Sequence, residues 1–346
     1  MSFATLLVSL LVTPPLADQK NALVLDTEEA KRIEAVLTYD LRYEHLQANE
    51  WIIVAAQAPS LPVQAKVKCT MHPKAVVVSE LSSLHRPILI ARVPARTSSL
   101  TKGISIQVTY EASLRSRRLR PLQDGEEPPI VPGLTDKERK ASLLDGGHYD
   151  FKTGVFQQWL EAKSLHRSAG EGDLEFAFRT FRSIQSTCQY DYRPELDRHA
   201  SVVCRDGRSD CGGLSTLFVS TLRANGIPAR SLVGRWAQSA RPREMPSGLA
   251  YYQAHVKAEF FATNVGWVPV DISSAVTAGA PQASLRYFGN DPGNFLTMHV
   301  DPDLKVDTIH FGRQQFPVLQ GIAYWVTGRG STGLTVAENW RVKELP

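Results

Sequence analysis

The sequence predicts an α+β fold in which helices pack on an antiparallel sheet, preceded by a small all-β domain of sandwich type. Three observations carry this. Residues 18–115 hold short, alternating apolar stretches separated by prolines and polar clusters; residues 116–134 turn rich in proline and acid; after that, helix-periodic segments come first and strand-like ones later. A chain of 346 residues has room for about two domains. Its 43% hydrophobic and 21% charged residues are an ordinary globular balance, enough for a sizeable core. The net charge of +4 is mild. The basic cluster Arg115, Arg117, Arg118 and Arg120 has no interleaved aromatics for base stacking, so it reads as a solvated linker edge and excludes nucleic acid as a partner.

Residues 1–17 read as a signal peptide. Phe3 to Val12 is an apolar run followed by Thr13, Pro14, Pro15, Leu16 and Ala17, with Ala17 the small residue before cleavage, although no Lys or Arg precedes the run. The competing reading is a buried first strand. An exported protein would work outside the cytoplasm, in the periplasm or beyond. No later segment approaches the ~18 uninterrupted apolar residues of a membrane helix, so the mature chain is expected to contain no span.

Residues 18–115 form the expected all-β domain, with Ala35 to Tyr39, Ala75 to Val78, Ile88 to Ile90 and Ile104 to Tyr110 as strands. Pro121, Glu126, Glu127, Pro128, Pro129 and Pro132 mark residues 116–134 as an extended linker. Residues 135–346 form the second domain. Thr135 with Glu138 makes a capping box, Val155, Phe156, Trp159 and Leu160 mark a second helix, and Asp173 opens a third carrying Phe178, Phe181 and Ile184.

Cys211 opens the next helix. Leu214, Leu217, Phe218 and Leu222 draw one buried stripe, and Asn225, Gly226 and Pro228 end it. Asp210 is a good N-cap, which leaves Cys211 in the first turn, where free N–H groups and the helix dipole favour an anion. The thiolate is the reactive form of a cysteine, and Gly212 and Gly213 leave the thiol uncrowded. The N–H of Cys211 itself points toward an acyl oxygen held by that sulfur. Alone, such a cysteine is more often a packed structural residue.

Two strands downstream change that balance. In Ala254 to Phe261, residues His255, Lys257 and Glu259 share one face; Gly266 to Asp271 comes next as a second strand. Singly, His255 reads as a half-buried packed residue and Asp271 as a turn cap. Paired, they depend on the register. A four-residue loop over Thr263 to Gly266 would put Asp271 opposite Ala258, on the wrong face and ~10 Å along the strand from His255. A three-residue loop of Ala262, Thr263 and left-handed Asn264 pairs Phe261 with Val265 and sets 255 directly opposite 271. The second register is expected. Asp271 then accepts the imidazole N–H, fixes the tautomer and leaves the other nitrogen for sulfur.

These residues reach a known family. Ser209 to Leu214, then Gly226 Ile227 Pro228 Ala229 Arg230, Ala254 His255 Val256 and Gly266 Trp267 Val268 Pro269 Val270 Asp271 resemble the core of the transglutaminase-like superfamily in its bacterial branch, over roughly residues 173–273. Tyr287 to Asn290 is similar to the segment beyond that core in bacterial members. The resemblance implies a papain-like or transglutaminase-like core with Cys211 as nucleophile, His255 as general base and then acid, and Asp271 as orienting carboxylate. It also points to Tyr190, Gly212 and Trp267 as support around the oxyanion, with Tyr192 beside them. This chain departs from many members in carrying Val256 where they have an aromatic residue after the histidine. The implied activity is cleavage or transfer at a peptide or glutamine amide through an acyl-thioester. Hydrolysis is favoured, with protein cross-linking as the alternative and a non-catalytic binding scaffold as the reading of another class. The partner is a peptide or protein amide; oligomeric state is not legible.

No cofactor or metal is called for. Asp301, Asp303 and Asp307 resemble a calcium loop only loosely, lacking its sharp-turn glycine and closing glutamate. Gly328 to Gly333 fits a dinucleotide fingerprint, but too little chain remains for a βαβ unit, and a glycine-rich hairpin is expected instead. In an oxidising compartment Cys188 and Cys204 could pair across a short polar loop, leaving Cys69 and Cys211 free; four reduced cysteines is the equal alternative.

Overall fold

Ile33, Ala35, Leu37, Tyr39 and Leu41 alternate with more exposed residues, and this period of two becomes the buried face of one 34-residue strand. In the computed structural model, which describes residues 23–244, 253–279 and 284–346, that strand is β1 (Leu23–Ala56). It is followed by β2 (Gln64–His72), β3 (Val76–Ser79), β4 (Pro87–Pro94), the short helix α1 (Ser98–Lys102) and β5 (Gly103–Pro121). Helices dominate next: α2 (Asp136–Ala141), α3 (Gly154–Ala162), α4 (Asp173–Thr187), the two-residue strand β6 (Gln189–Tyr190), α5 (Ala200–Asp206), β7 (Arg208–Ser209) and α6 (Cys211–Ala224). Then come β8 (Ala229–Trp236), β9 (Ala254–Ala262), β10 (Gly266–Val270), α7 (Ile272–Ala278) and α8 (Ser284–Tyr287). The last strands are β11 (Asn290–Asp291), β12 (Phe295–Val300), β13 (Leu304–Asp307), β14 (Arg313–Phe316) and β15 (Ile322–Leu345). The residues read as a signal peptide lie outside the described ones.

The architecture is α+β, with a strand-rich body first. Its seven strands form one sheet in the order β11-β5-β1-β4-β3, with β15 also on β1 and β2 also on β5. β15 pairs with β1 from Arg32 opposite Leu345 to Ala55 opposite Ile322. The division expected near residue 115 therefore separates strands from helices along the chain but not in space. Gly328 and Gly330 make no hairpin: they lie inside β15 beside two register shifts, where a Cβ on either would strike the β1 backbone, at Gln47 O and His45 O respectively. The arginine cluster is a strand rather than a linker edge: β5 continues through it with Arg118 exposed and Arg115 and Arg120 half-buried, but Arg117 is buried against Glu259 at 2.6 Å.

The second sheet, β10-β9-β8-β12, is antiparallel and covered on both faces. Ala258, Phe260, Val268 and Val270 meet the helices at Phe181, Leu214, Leu217 and Phe218. Burying each large apolar side chain here stabilises by about 1.5–3 kcal/mol. The opposite face meets the strand-rich body, with Leu232 and Phe295 against Val63 and Glu259 against Arg117. Arg86 extends that contact. Its guanidinium donates to the carbonyls of Val300, Asp301, Pro302 and Asp303 at 2.6–3.0 Å, a cation of the chain itself closing the loop that holds Asp301 and Asp303. Asp301 accepts from Tyr149, the Ser231 N–H and Arg223, and Asp303 from His148. Among the described residues no group of three or more metal-ligating side chains gathers. No helix among them is long and apolar enough to cross a membrane.

Candidate active site

Asp210 caps α6 as its sequence suggests: its Oδ1 accepts the Gly213 N–H at 3.1 Å and its carbonyl accepts from Leu214. The first N–H groups of the helix, those of Cys211 and Gly212, have no carbonyl within the helix to bond. Arg198 holds the cap from outside, with Nε and Nη2 on the Asp210 carboxylate at 2.7–3.0 Å. Gly213 must be glycine, because a Cβ there would lie 2.0 Å from Ser209 Oγ. Gly212 is far less constrained: the Cβ it lacks would lie 3.2 Å from Arg198 Cδ, a side chain that can give way.

The β9–β10 register differs from the expected one. Ala262 pairs with Gly266 and Ala258 with Val270, so the loop is Thr263, Asn264 and Val265. Asn264 is left-handed as expected, with φ 64°, and Gly266 comes soon after at φ 98°. Continued by one pair, this register sets 271 opposite 257, not 255. The face is unchanged because the slip preserves parity. Asp271 therefore reaches His255 on the diagonal, where long side chains still meet. His255 Nε2 lies 3.0 Å from Asp271 Oδ2, leaving Nδ1 as the ring nitrogen for sulfur. Cys211 and His255 line the same cleft, close enough for the cysteine to help raise the imidazole's pKa. Asp271 also caps α7, its Oδ1 accepting from the Ser274 N–H at 3.1 Å and from Ser273 Oγ at 3.3 Å.

Both titrating partners are buried. Burial opposes protonation of His255, but the Asp271 charge and hydrogen bond and the contact with Cys211 outweigh it and push the imidazole up to about 9. Burial likewise opposes ionisation of Asp271; the charge and hydrogen bond of His255, with Lys257 behind, hold its carboxyl well below the usual range.

Cys211, His255 and Gly212 line a cleft of about 800 Å³. Tyr190, Tyr192 and Tyr287 form part of its wall; Pro317, Val318 and Gln320 form another. Tyr190 and Tyr192 are 44% and 43% exposed, so their rings are open to a ligand entering the cleft. Trp267 is not at this site. It lies toward the β9–β10 hairpin, with the Arg230 guanidinium 3.9 Å over its ring and its carbonyl on Arg117, because three residues of strand, Val268 to Val270, separate it from position 271. Cys188 and Cys204 do not pair. All four cysteines are free thiols, and the Cys204 thiol turns back onto the Ser201 carbonyl of its own helix.

Three neighbours of the site are not legible in the sequence pattern. Trp236 of β8 stacks on His255 with centroids 4.4 Å apart, supplying the aromatic contact that Val256 lacks. Its signal is the strand pairing Gly234 with His255, which sets Trp236 on the same face two residues on. Gln320 donates to the carbonyls of Gly234 and His255 at 2.7 Å, tying down both strands. Ser215 Oγ donates to the Val256 carbonyl, joining α6 to β9.

The site thus has a thiol at a helix start and, on the same cleft, an imidazole that a buried carboxylate holds. The profile of the transglutaminase-like superfamily matches residues 163–272, a stretch that contains all three. This stretch is similar to the transglutaminase-like core. An uncharacterized protein of Haemophilus influenzae is 28% identical over 136 aligned residues, covering 29% of this chain. The match spans 37% of that relative's length. The crystal structure of a candidate cysteine protease from Cytophaga hutchinsonii superposes with a TM-score of 0.51 at 11% identity, over 92% of this chain and all of the other, and so shares the fold. The periplasmic domain of TgpA from Pseudomonas aeruginosa aligns over 72% of this chain and 92% of its own at TM-score 0.36 and 15% identity.

Proposed function

We propose that this protein is a thiol-dependent amide hydrolase acting on peptide or glutamine-side-chain amides. The observation that carries the reading is Cys211 and His255 lining one cleft with Asp271 hydrogen-bonded to the imidazole behind them. His255 Nδ1 takes the thiol proton, and sulfur attacks the amide carbonyl carbon. The oxyanion falls beside the Cys211 and Gly212 N–H groups at the open end of α6, with the Tyr190 and Tyr192 rings across the cleft. The imidazolium then protonates the departing nitrogen, the carbon–nitrogen bond breaks, and a thioester remains. Water, deprotonated by His255, attacks the thioester to release the acid and the thiol.

Transfer to a lysine amine would use the same three residues. Hydrolysis is favoured because transfer needs, in addition to the same three residues, an acceptor channel that excludes water. The test is incubation of the purified protein with a library of glutamine-containing peptides and a labelled primary amine. Cleaved peptide or free ammonia supports hydrolysis; amine adducts in excess of both would establish transfer. No product of any kind would favour a binding scaffold. The apolar run at Phe3 to Val12 supports an activity exerted outside the cytoplasm, and fractionation of the expressing cell checks it.

A further inference from the structure

His255 is one of three buried ionisable residues on the same face of β9. Each meets an opposite charge from another element: His255 meets Asp271, Lys257 meets Asp291 of β11, and Glu259 meets Arg117 of β5. The middle pair has no part in the chemistry above. Lys257 Nζ lies 3.2 Å from Asp291 Oδ2, with the two side chains only 5% and 2% exposed. Holding an ammonium so far from water carries a desolvation cost that its attraction to Asp291 must offset.

Two aromatic rings connect that ammonium to the site. Lys257 Nζ lies 4.9 Å from the Trp236 ring and 5.0 Å from the Phe295 ring. The same rings hold His255, Trp236 by stacking and Phe295 edge-on with centroids 6.0 Å apart. Across the ladder, Lys257 is the residue that position 271 faces when the register is continued. From behind, the strand-rich body grips the other half of the pair. Asp291 pairs with Arg117 of β5, its Oδ1 accepts the Gly293 N–H at 2.9 Å, and a Cβ on Gly293 would come within 2.5 Å of Ala30 Cβ in β1.

We propose that Lys257 and Asp291 are positioning residues for His255 and Asp271, through which the strand-rich sheet forms the rear wall of the active site. The proposal rests on His255 being the base described above. Its physical logic is charge balance during turnover. When the imidazolium gives its proton to the leaving group, Asp271 would face a neutral ring as a buried, uncompensated anion. The Lys257 ammonium supplies positive potential there throughout the cycle. The charged groups packed around these residues are Cys211 from α6, Asp271 after β10, Asp291 from β11, Arg117 from β5 and Glu259 on β9 itself.

The test is the pH dependence of Cys211 alkylation by iodoacetamide, read peptide by peptide so that Cys69, Cys188 and Cys204 do not interfere. The wild type is expected to show an upper inflection where His255 loses its proton. Lys257→Met with Asp291→Asn removes the cation that competes with the imidazolium for Asp271, so the inflection moves up by about half a unit or more. Asp291→Asn alone leaves the ammonium unneutralised, and the inflection moves down. Opposite shifts in these two variants support the proposal, since a purely structural pair would move neither. Folded variants with unshifted inflections overturn it, as does failure of both to fold, which would mark the pair as structural only. An inflection that persists in His255→Ala would instead overturn the reading of His255, whatever Lys257 does.

Discussion

His255 and Asp271 meet on a diagonal, 3.0 Å from Nε2 to Oδ2, although Asp271 lies one residue past the last paired position of β10. The same carboxylate caps α7 with its other oxygen. A single side chain thus fixes the imidazole and the turn that delivers it, so substitutions here affect chemistry and fold by separable amounts.

Asp271→Asn separates them. The amide oxygen can still accept the Ser274 N–H, so the cap largely survives, whereas the charge that holds His255 protonated is gone. Turnover is expected to fall by about a hundredfold or more, with thermal stability changed far less. Comparing kcat with the unfolding midpoint checks this; equal and proportionate losses would mean that Asp271 acts through the fold alone.

Stability is expected to decline in alkali. His255 in the folded protein holds its proton up to about 9, against about 6.5 in an unfolded chain. The folded state therefore binds more protons between those values. The stabilisation is complete below the unfolded value and is lost as pH rises through the folded one, by up to about 3 kcal/mol. Asp271 acts in the opposite sense, its depressed folded value contributing stability above about pH 4 that is lost on acidification. Urea denaturation across pH 6 to 10 reads the alkaline slope. His255→Ala should flatten it.

Gly213→Ala is expected to destabilise by about 1–3 kcal/mol, because the added Cβ meets Ser209 and packed interiors accommodate such intrusion poorly. The clash is 2.0 Å to Ser209 Oγ and 2.7 Å to its Cβ, so rotating the hydroxyl does not relieve it. The start of α6 must shift, and Cys211 with it. Slowed alkylation of Cys211 in a still-folded variant would show that displacement, and an unchanged rate would refute it.

Arg117→Ala leaves Glu259 buried with Arg230 as its remaining partner. Removing one member of a buried ionic cluster typically costs about 3–5 kcal/mol. Because Arg117 belongs to β5 and Glu259 to β9, the loss should loosen the strand-rich body from the second sheet. Hydrogen exchange in β9 and β11 should then accelerate ahead of that in α6.

Local signals are legible in the sequence and distant ones are not. The limits of α6, its Asp210 cap, the Thr135–Glu138 capping box and the left-handed Asn264 all arise from residues within a turn of each other. The hairpin register differs from the expected one by one position on each strand, because Asn264 and Gly266 both accept positive φ and either could be placed at the end of the loop. Pairings across long separations leave no such local mark. Nothing in the alternation of β15 says that it lies beside β1, and nothing in an arginine cluster after a strand says that Arg117 is buried under Glu259. The support from Trp236, Lys257 and Asp291 depends on those pairings, and so it is hidden as well.

The most direct test of the central claim is the rate of Cys211 alkylation by iodoacetamide near pH 7, in wild type and in His255→Ala. The account predicts labelling well above that of a simple thiol and its collapse when the imidazole is removed. A wild-type rate no faster than a free thiol, or one indifferent to His255, would contradict it.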